Sequence, residues 1–240
     1  MFDQINLAFD CMPVAAVISG QLFCCHGGIP HTNTYIGSNV MDTLNLLPRQ
    51  PTHTRITQEN ILDALLQWTD EQWRQTRWNG CNPSAASIPH HCSEQQRERF
   101  ECRQRVLMVA YQVMWSDPYS LSIHEEEPTD GFFTKMMDRS DPHRPHPRVL
   151  YFTHKAAENF LERHCFTRIL RGHQGKRSGV ELSLFYKVLT IFSDSCDHFQ
   201  SREFSADGRM QSAMTLCGCV LVDSNAIRCI ICQPMASLTQ

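Results

Sequence analysis

Short apolar segments bounded by turn residues recur along the chain, and they constrain its fold more than any other feature. Val, Ile and Phe are frequent in these segments and favour extended, pleated backbone. Turn residues such as Ser19 and Gly20 separate neighbouring segments. The pattern predicts strands over residues 14–18, 22–25, 149–152, 167–170, 182–185, 188–192, 214–222 and 227–231.

Helical periodicity is present as well. Val106, Val109, Ala110 and Val113 recur at helical spacing and predict one long helix over residues 93–114. Shorter helices are predicted over residues 2–10, 61–68 and 153–161, the last two capped by Thr57 and Thr153. Loops are predicted over residues 30–57, 79–89 and 125–147, the last as a mobile surface insertion. Together these elements indicate a mixed α+β (or α/β) fold.

Size and charge limit the classes of partner. The chain has 240 residues, which suits one domain, and its net charge is −3. It has no dense Lys/Arg stripe, so neither a nucleic-acid nor an anionic-membrane partner is expected. The apolar stretch 213–232 contains Asp223 and Arg228, which favour a hairpin over a membrane span. The N-terminus lacks the apolar core of a signal peptide, so a cytoplasmic or nuclear location is expected.

The twelve cysteines raise the question of a zinc site. Cys217, Cys219, Cys229 and Cys232 have suggestive spacing, but Ile230 and Ile231 favour an extended strand. Positions three apart on a strand point to opposite faces, so Cys229 and Cys232 would diverge. Reduced core cysteines are the alternative. A second zinc-module hypothesis, a distant one, uses Cys81, His90, His91 and Cys92.

Two histidines follow predicted strands beside glycine. His26 precedes Gly27 and Gly28, and His173 follows Gly172. Glycine lets backbone approach a ligand closely, and neutral imidazole is a frequent ligand for Zn, Fe and Mn. An ordinary loop histidine is the alternative at both positions.

Four ordered motifs resemble the phosphoprotein phosphatase family, which includes protein phosphatase type 1 and calcineurin. The first runs without a gap from Phe9-Asp10-Cys11-Met12-Pro13 to His26-Gly27-Gly28. The second is Trp115-Ser116-Asp117-Pro118, similar to W-S-D-P. The third is Arg171-Gly172-His173-Gln174, similar to R-[AGS]-H-[QE]. The fourth is Val188 to Ser193, similar to v-T-x-F-S, and residues 220–234 resemble the family's final hairpin.

The resemblance implies a partial metallophosphoesterase β-sandwich flanked by helices and a two-metal serine/threonine protein phosphatase. Two divalent ions (Mn, Fe or Zn) activate a water that attacks phosphorus. His26 and His173 fall on ligand positions for one ion, and Asp117 on an acidic wall near the substrate groove. Arg148, with Arg139 as the competitor, falls where an arginine grips phosphate. Phosphoprotein substrates and possible regulatory subunits are implied as partners.

The departures from the family limit this expectation. G-D-x-H-G, G-D-x-x-D-R-G and G-N-H-E, which supply other metal ligands and the general acid, do not occur. The family's A-P-N-Y after Ser193 is replaced by Asp194-Ser195-Cys196-Asp197. Residues 1–240 are therefore expected to be the C-terminal part of a catalytic domain, with insertions at about 31–105 and 119–147, and inactive alone. The alternative is a non-catalytic relative that serves as a protein-interaction module.

Overall fold

The computed structural model describes residues 4–5, 12–47, 54–56, 76–78, 93–136, 148–194, 202–204, 210–212 and 216–232. Residues 4 and 5 are helical, and the other residues of the helix predicted over 2–10 lie outside the described ranges. The helix predicted over 61–68 lies outside it as well. Among the described residues, no helix combines the length and apolarity needed to cross a membrane.

The fold is mixed α+β, as the sequence predicts. The helices are α1 (Val40–Asn45), α2 (Glu94–Trp115) and α3 (His154–His164), with a 3₁₀ turn at Thr32–Thr34. The strands are β1 (Ala15–Ile18), β2 (Leu22–Cys25), β3 (Thr54–Ile56), β4 (Thr76–Trp78), β5 (Asp117–Pro118), β6 (Phe132–Met136), β7 (Arg148–Phe152), β8 (Arg168–Arg171), β9 (Val180–Ser183), β10 (Val188–Ile191), β11 (Arg202–Phe204), β12 (Met210–Ser212), β13 (Cys217–Val222) and β14 (Ile227–Cys232).

A five-stranded sheet forms the centre, in the order β1-β2-β8-β10-β9. Strands β2, β8 and β10 run parallel, and β1 and β9 pair antiparallel at the two edges. The carboxyl ends of β2 and β8 therefore meet at one edge of the sheet. This edge carries the two histidine loops singled out by the sequence.

The central sheet is buried on both faces. Phe23, Ile169 and Val188 face a core that also contains residues of α2 and α3. Leu22, Leu170 and Leu189 face the other way and pack against apolar residues of the β13–β14 hairpin: Val220, Val222 and Ile227. Near-continuous apolar runs are expected for strands covered on both sides.

A three-stranded sheet, β5-β7-β6, lies beside this core. Asp117 in β5 pairs in parallel with Tyr151 in β7, and β6 pairs antiparallel with β7. The hairpin β13–β14 and the pairs β3–β4 and β11–β12 form separate two-stranded sheets.

The long helix predicted over 93–114 is confirmed as α2. Ser93 and Gln96 form a capping box, in which each side chain accepts a hydrogen bond from the other residue's backbone N–H. The predicted apolar stripe of α2 is buried: Val106 is 2% exposed, and Val109, Ala110 and Val113 are each 0% exposed. The C-terminal turn of this helix supports the candidate site.

Four local predictions need correction. The stretch 30–57 contains α1, whose Asn39 side chain accepts from the Met41 N–H at 2.9 Å. The insertion at 125–147 is not loop throughout, because residues 132–136 form β6. Thr153 is the N-cap of α3 but makes no side-chain capping bond.

The fourth correction concerns the strand predicted over 182–185. The strand is β9, which ends at Ser183, and Leu184, Phe185 and Tyr186 follow with φ of 48°, 52° and 65°. These three residues adopt left-handed backbone, which turns the chain back into β10. Leu184 and Phe185 have the apolar side chains typical of a strand, and this is why the sequence predicts strand up to residue 185.

Candidate active site

His26 and His173 meet at the carboxyl edge of the central sheet. In the parallel pairing of β2 with β8, Cys25 lies opposite Arg171, so the residues that follow both strands are neighbours. The two imidazole centroids are 5.1 Å apart with an interplanar angle of 65°. The Gly172 N–H also donates to the His26 carbonyl at 3.0 Å. The predicted proximity of the two histidines is confirmed.

Gly27 lets the His26 loop lie directly on the end of α2. The Gly27 and Gly28 N–H groups both donate to the Val113 carbonyl, at 2.8 and 3.2 Å. A Cβ on Gly27 would lie 2.5 Å from the backbone carbon of Met114, closer than atoms can approach. The glycine is therefore required by backbone packing, and it fixes His26 relative to α2.

The left-handed backbone of His173 and a ring contact with Trp115 fix the position of its side chain. Its φ is 65°, the left-handed region that non-glycine residues rarely adopt. Its ring lies 5.3 Å from the Trp115 ring, with the two planes at 88°. Strained backbone of this kind persists where surrounding contacts over-determine it, and it concentrates at functional sites.

Arg171 joins the two histidine loops to the β5 segment. Its guanidinium donates to the Gly27 carbonyl, to Gln174 Oε1 at 2.8 Å and to Asp117 Oδ1 at 2.9 Å. The Arg171 side chain is 0% exposed and that of Asp117 is 2% exposed. A buried ion pair of this kind costs desolvation energy, which its hydrogen bonds must offset.

The arrangement favours neutral His26. Burial lowers the pKa of the His26 imidazole, and the Arg171 guanidinium lowers it further, while the Asp117 carboxylate raises it by a smaller amount. Burial also raises the pKa of the Cys25 thiol to about 12, against the opposing effect of Arg171. A neutral imidazole offers a nitrogen lone pair to a metal ion.

The described residues do not form a complete metal centre. His26 and His173 supply two nitrogen donors, and Asp117 Oδ1 lies 3.8 Å from His173 Nε2 while it accepts from Arg171. No group of three or more His, Cys, Asp or Glu among the described residues is arranged to hold an ion. Two imidazoles are fewer ligands than a protein-held divalent ion requires. The ligand roles of His26 and His173 stay predictions.

The other predicted site residues are Arg148, Arg139 and Asp117, and the structure describes two of them, Arg148 and Asp117. Arg148 begins β7, three residues before the Tyr151 that pairs with Asp117, so the pairing lies about 10 Å along the strand. Arg139 lies outside the described residues. Asp117 is buried rather than on a surface, and its predicted role beside a substrate groove stays a prediction.

The structure describes the first of the two predicted zinc sites and not the second. Cys229 and Cys232 belong to the extended strand β14, so they lie on opposite faces, as predicted. None of these four cysteines, Cys217, Cys219, Cys229 and Cys232, is in a disulfide in the structure. Cys81, His90, His91 and Cys92 lie outside the described residues.

Arg171 belongs to the R-G-H-Q motif, but the motif alone predicts no role for it. A signal was present, because Arg171 directly follows the buried residues Ile169 and Leu170. A charged side chain at the end of a buried strand requires a partner, and Asp117 of W-S-D-P supplies it.

No family model matches the chain. A solved structure from Saccharomyces cerevisiae, a protein serine/threonine phosphatase with similarity to human phosphatase PP5, matches with a TM-score of 0.44 and 14% identity. The match covers 98% of this chain and 51% of that one, so this chain spans about half the neighbour's length.

Proposed function

We propose that this chain is part of the catalytic domain of a metal-dependent serine/threonine protein phosphatase. In this proposal, His26 and His173 are ligands of one of two divalent ions. The observation that carries it is their meeting at one sheet edge, with ring centroids 5.1 Å apart. The order of the four sequence motifs supports it independently.

The geometry supports a hydrolase site held by rigid elements. Parallel strands β2 and β8 deliver the two imidazoles, and their carboxyl edge is where α/β sheets bind ligands. Gly27 lets the His26 loop pack against the backbone of α2. Arg171 donates hydrogen bonds both to the Gly27 carbonyl and to Asp117. Preorganisation of this kind is what catalytic groups require.

The proposed substrates are phosphoserine and phosphothreonine in proteins, and Mn, Fe or Zn are the proposed metals. The described residues contribute an incomplete ligand set, so we expect this chain alone to hydrolyse phosphopeptides poorly or not at all. Additional ligands are required before both ions can be held. Arg148 is the proposed phosphate-binding arginine, with Arg139 as its competitor.

Phosphate release from a phosphoserine peptide tests the proposal. The chain is assayed with and without Mn²⁺, beside His26→Ala, His173→Ala and the control His124→Ala, which alters an exposed histidine. We expect any residual turnover to require Mn²⁺, to be lost in the two site variants and to persist in the control. Turnover unaffected by both site substitutions would overturn the proposal.

A non-catalytic phosphatase relative is the second candidate. The Arg171–Asp117 ion pair favours it, because the carboxylate nearest the histidines already accepts from a guanidinium. The replacement of A-P-N-Y by Asp194-Ser195-Cys196-Asp197 favours it too. In that case neither histidine substitution would change Mn²⁺ binding, and the fold would serve a protein partner.

A further inference from the structure

Two cysteines lie directly opposite each other in the β13–β14 hairpin. Cys217 and Cys232 are Cα partners in its antiparallel register. Directly paired residues in such a ladder have Cα atoms about 4.5–5.5 Å apart. A disulfide needs a Cα separation of about 4.4–6.8 Å. The backbone therefore already has the spacing that a disulfide requires.

Both thiols are on the outward face of the hairpin. Side chains alternate along a strand, so Cys217, Cys219 and Cys232 share one face. Leu221 and Ile230, on the same face, are 56% and 38% exposed. Cys217 is partly exposed and Cys232 is exposed, so a small oxidant can reach them.

The neighbouring cysteines are less suited to pairing. Cys219 is diagonal to Cys232, and diagonal neighbours are about 7–8 Å apart, near or beyond the disulfide limit. Cys229 faces the opposite side, where Val220 and Val222 pack on the central sheet. These two positions are matched internal controls.

Cys217 is presented by a firmly attached backbone. The Gly218 N–H donates to the Phe192 carbonyl at 2.7 Å, and a Cβ on Gly218 would lie 2.2 Å from the Gly179 carbonyl oxygen. The Cys217 thiol donates to the Ser193 carbonyl at 3.0 Å. The pair thus adjoins the chain that leaves β10.

We propose that Cys217 and Cys232 are a redox-sensitive pair that forms a reversible disulfide by exchange with a low-molecular-weight disulfide such as oxidised glutathione. The Cys232 thiolate attacks one glutathione sulfur, and one glutathione thiolate leaves. The Cys217 thiolate then attacks the Cys232 sulfur of the mixed disulfide, and the second glutathione thiolate leaves. The two protons released by the cysteines go to the two glutathione thiolates, so two thiols are oxidised and one disulfide is reduced.

Oxidation would change the attachment of the hairpin to β10. The Cys217 sulfur loses its proton, so the Ser193 carbonyl loses its thiol donor. Ser193 lies two residues after Ile191, whose carbonyl oxygen is 3.8 Å from where a Cβ on Gly172, the neighbour of His173, would be. The redox pair therefore lies close to the histidine edge, and the proposal does not depend on phosphatase activity.

Peptide mapping tests the pair. The folded chain is incubated with oxidised glutathione, free thiols are alkylated, and trypsin is added. Cleavage after Arg209 and Arg228 gives peptides 210–228 and 229–240, each with two cysteines. We expect a cross-linked product of these two peptides that reduced glutathione removes.

Four serine variants assign the bond. Cys217→Ser and Cys232→Ser are expected to abolish the cross-link, whereas Cys219→Ser and Cys229→Ser are expected to retain it. Survival of the cross-link in either of the first two variants would overturn the assignment. Absence of the cross-link from the folded wild-type chain would overturn the proposal without reference to any variant.

Discussion

The Arg171 guanidinium donates to Asp117 Oδ1 at 2.9 Å, and both side chains are almost completely buried. This ion pair connects the R-G-H-Q segment to the W-S-D-P segment. Arg171 also donates to the carbonyl of Gly27, so three motifs that are far apart in the sequence share one cation. The ion pair therefore adds a buried side-chain link to the backbone pairing of β2 with β8 that brings the two histidines together.

Asp117→Asn is expected to lower the free energy of unfolding by about 3 kcal/mol, because it leaves a buried guanidinium without its anion. Urea unfolding followed by circular dichroism measures the change. The double variant Asp117→Leu with Arg171→Met should recover part of the loss, since it removes both charges.

The exposed Lys187–Glu158 pair is the control for this prediction. Glu158→Gln should leave the urea midpoint nearly unchanged, because exposed pairs contribute little. Equal losses for Asp117→Asn and Glu158→Gln would contradict the role assigned to burial.

Gly27→Ala is expected to destabilise the chain by about 2–3 kcal/mol, because the new Cβ meets the Met114 backbone at 2.5 Å. Gly172→Ala is the matched control. A Cβ at Gly172 has ordinary contacts, the nearest at 3.7 Å to His26 Nδ1, so this change should be nearly neutral. Thermal unfolding of both variants checks the contrast, and a tolerated Gly27→Ala would refute it.

His164 makes stability depend on pH. Its ring lies among the rings of Tyr35, Phe160 and Phe166, and burial, reinforced by Arg163, lowers its pKa to about 4 from the ordinary 6.5. The unfolded chain binds this proton more tightly than the folded chain does. The neutral His164 ring therefore makes its full contribution to the free energy of unfolding above about pH 6.5, and that contribution is lost as the pH falls towards 4.

His164→Phe cannot titrate and should remove about 1 kcal/mol of the stability loss between about pH 7.5 and pH 5, about half of what the full pKa difference gives, because the ring is only half-buried and solvent screens it. Melting temperatures across that range measure it. The same substitution at exposed His124 should leave the slope of the wild-type chain unchanged, and an unchanged slope in His164→Phe would contradict the prediction.

Tyr186→Gly is expected to raise the melting temperature slightly. Tyr186 is 67% exposed with φ of 65°, so glycine relieves left-handed strain and sacrifices little packing. Leu182→Gly, in β9 with 47% exposure, should lower it, because glycine weakens a strand. A larger loss at Tyr186 than at Leu182 would refute this account.

The sequence predicts the elements that repeat a clear pattern. Strands β2, β8 and β10 and helix α2 are close to their predicted bounds, because buried runs and helical periodicity reflect burial directly. The sequence predicts strand at Leu184 and Phe185 because their side chains are apolar, whereas the left-handed turn there is visible only in the backbone angles. The partners of Arg171 could not be predicted either, because contacts between distant segments leave no local pattern.

The most direct test of the central claim is equilibrium Mn²⁺ binding, followed by electron paramagnetic resonance of the free ion. Mn²⁺ suits a chain with many cysteines, because it prefers oxygen and imidazole ligands to thiolate. We expect weak binding that His26→Ala and His173→Ala each reduce by about tenfold or more, with His124→Ala unchanged. Binding of equal affinity in the wild-type chain and both site variants would contradict the account.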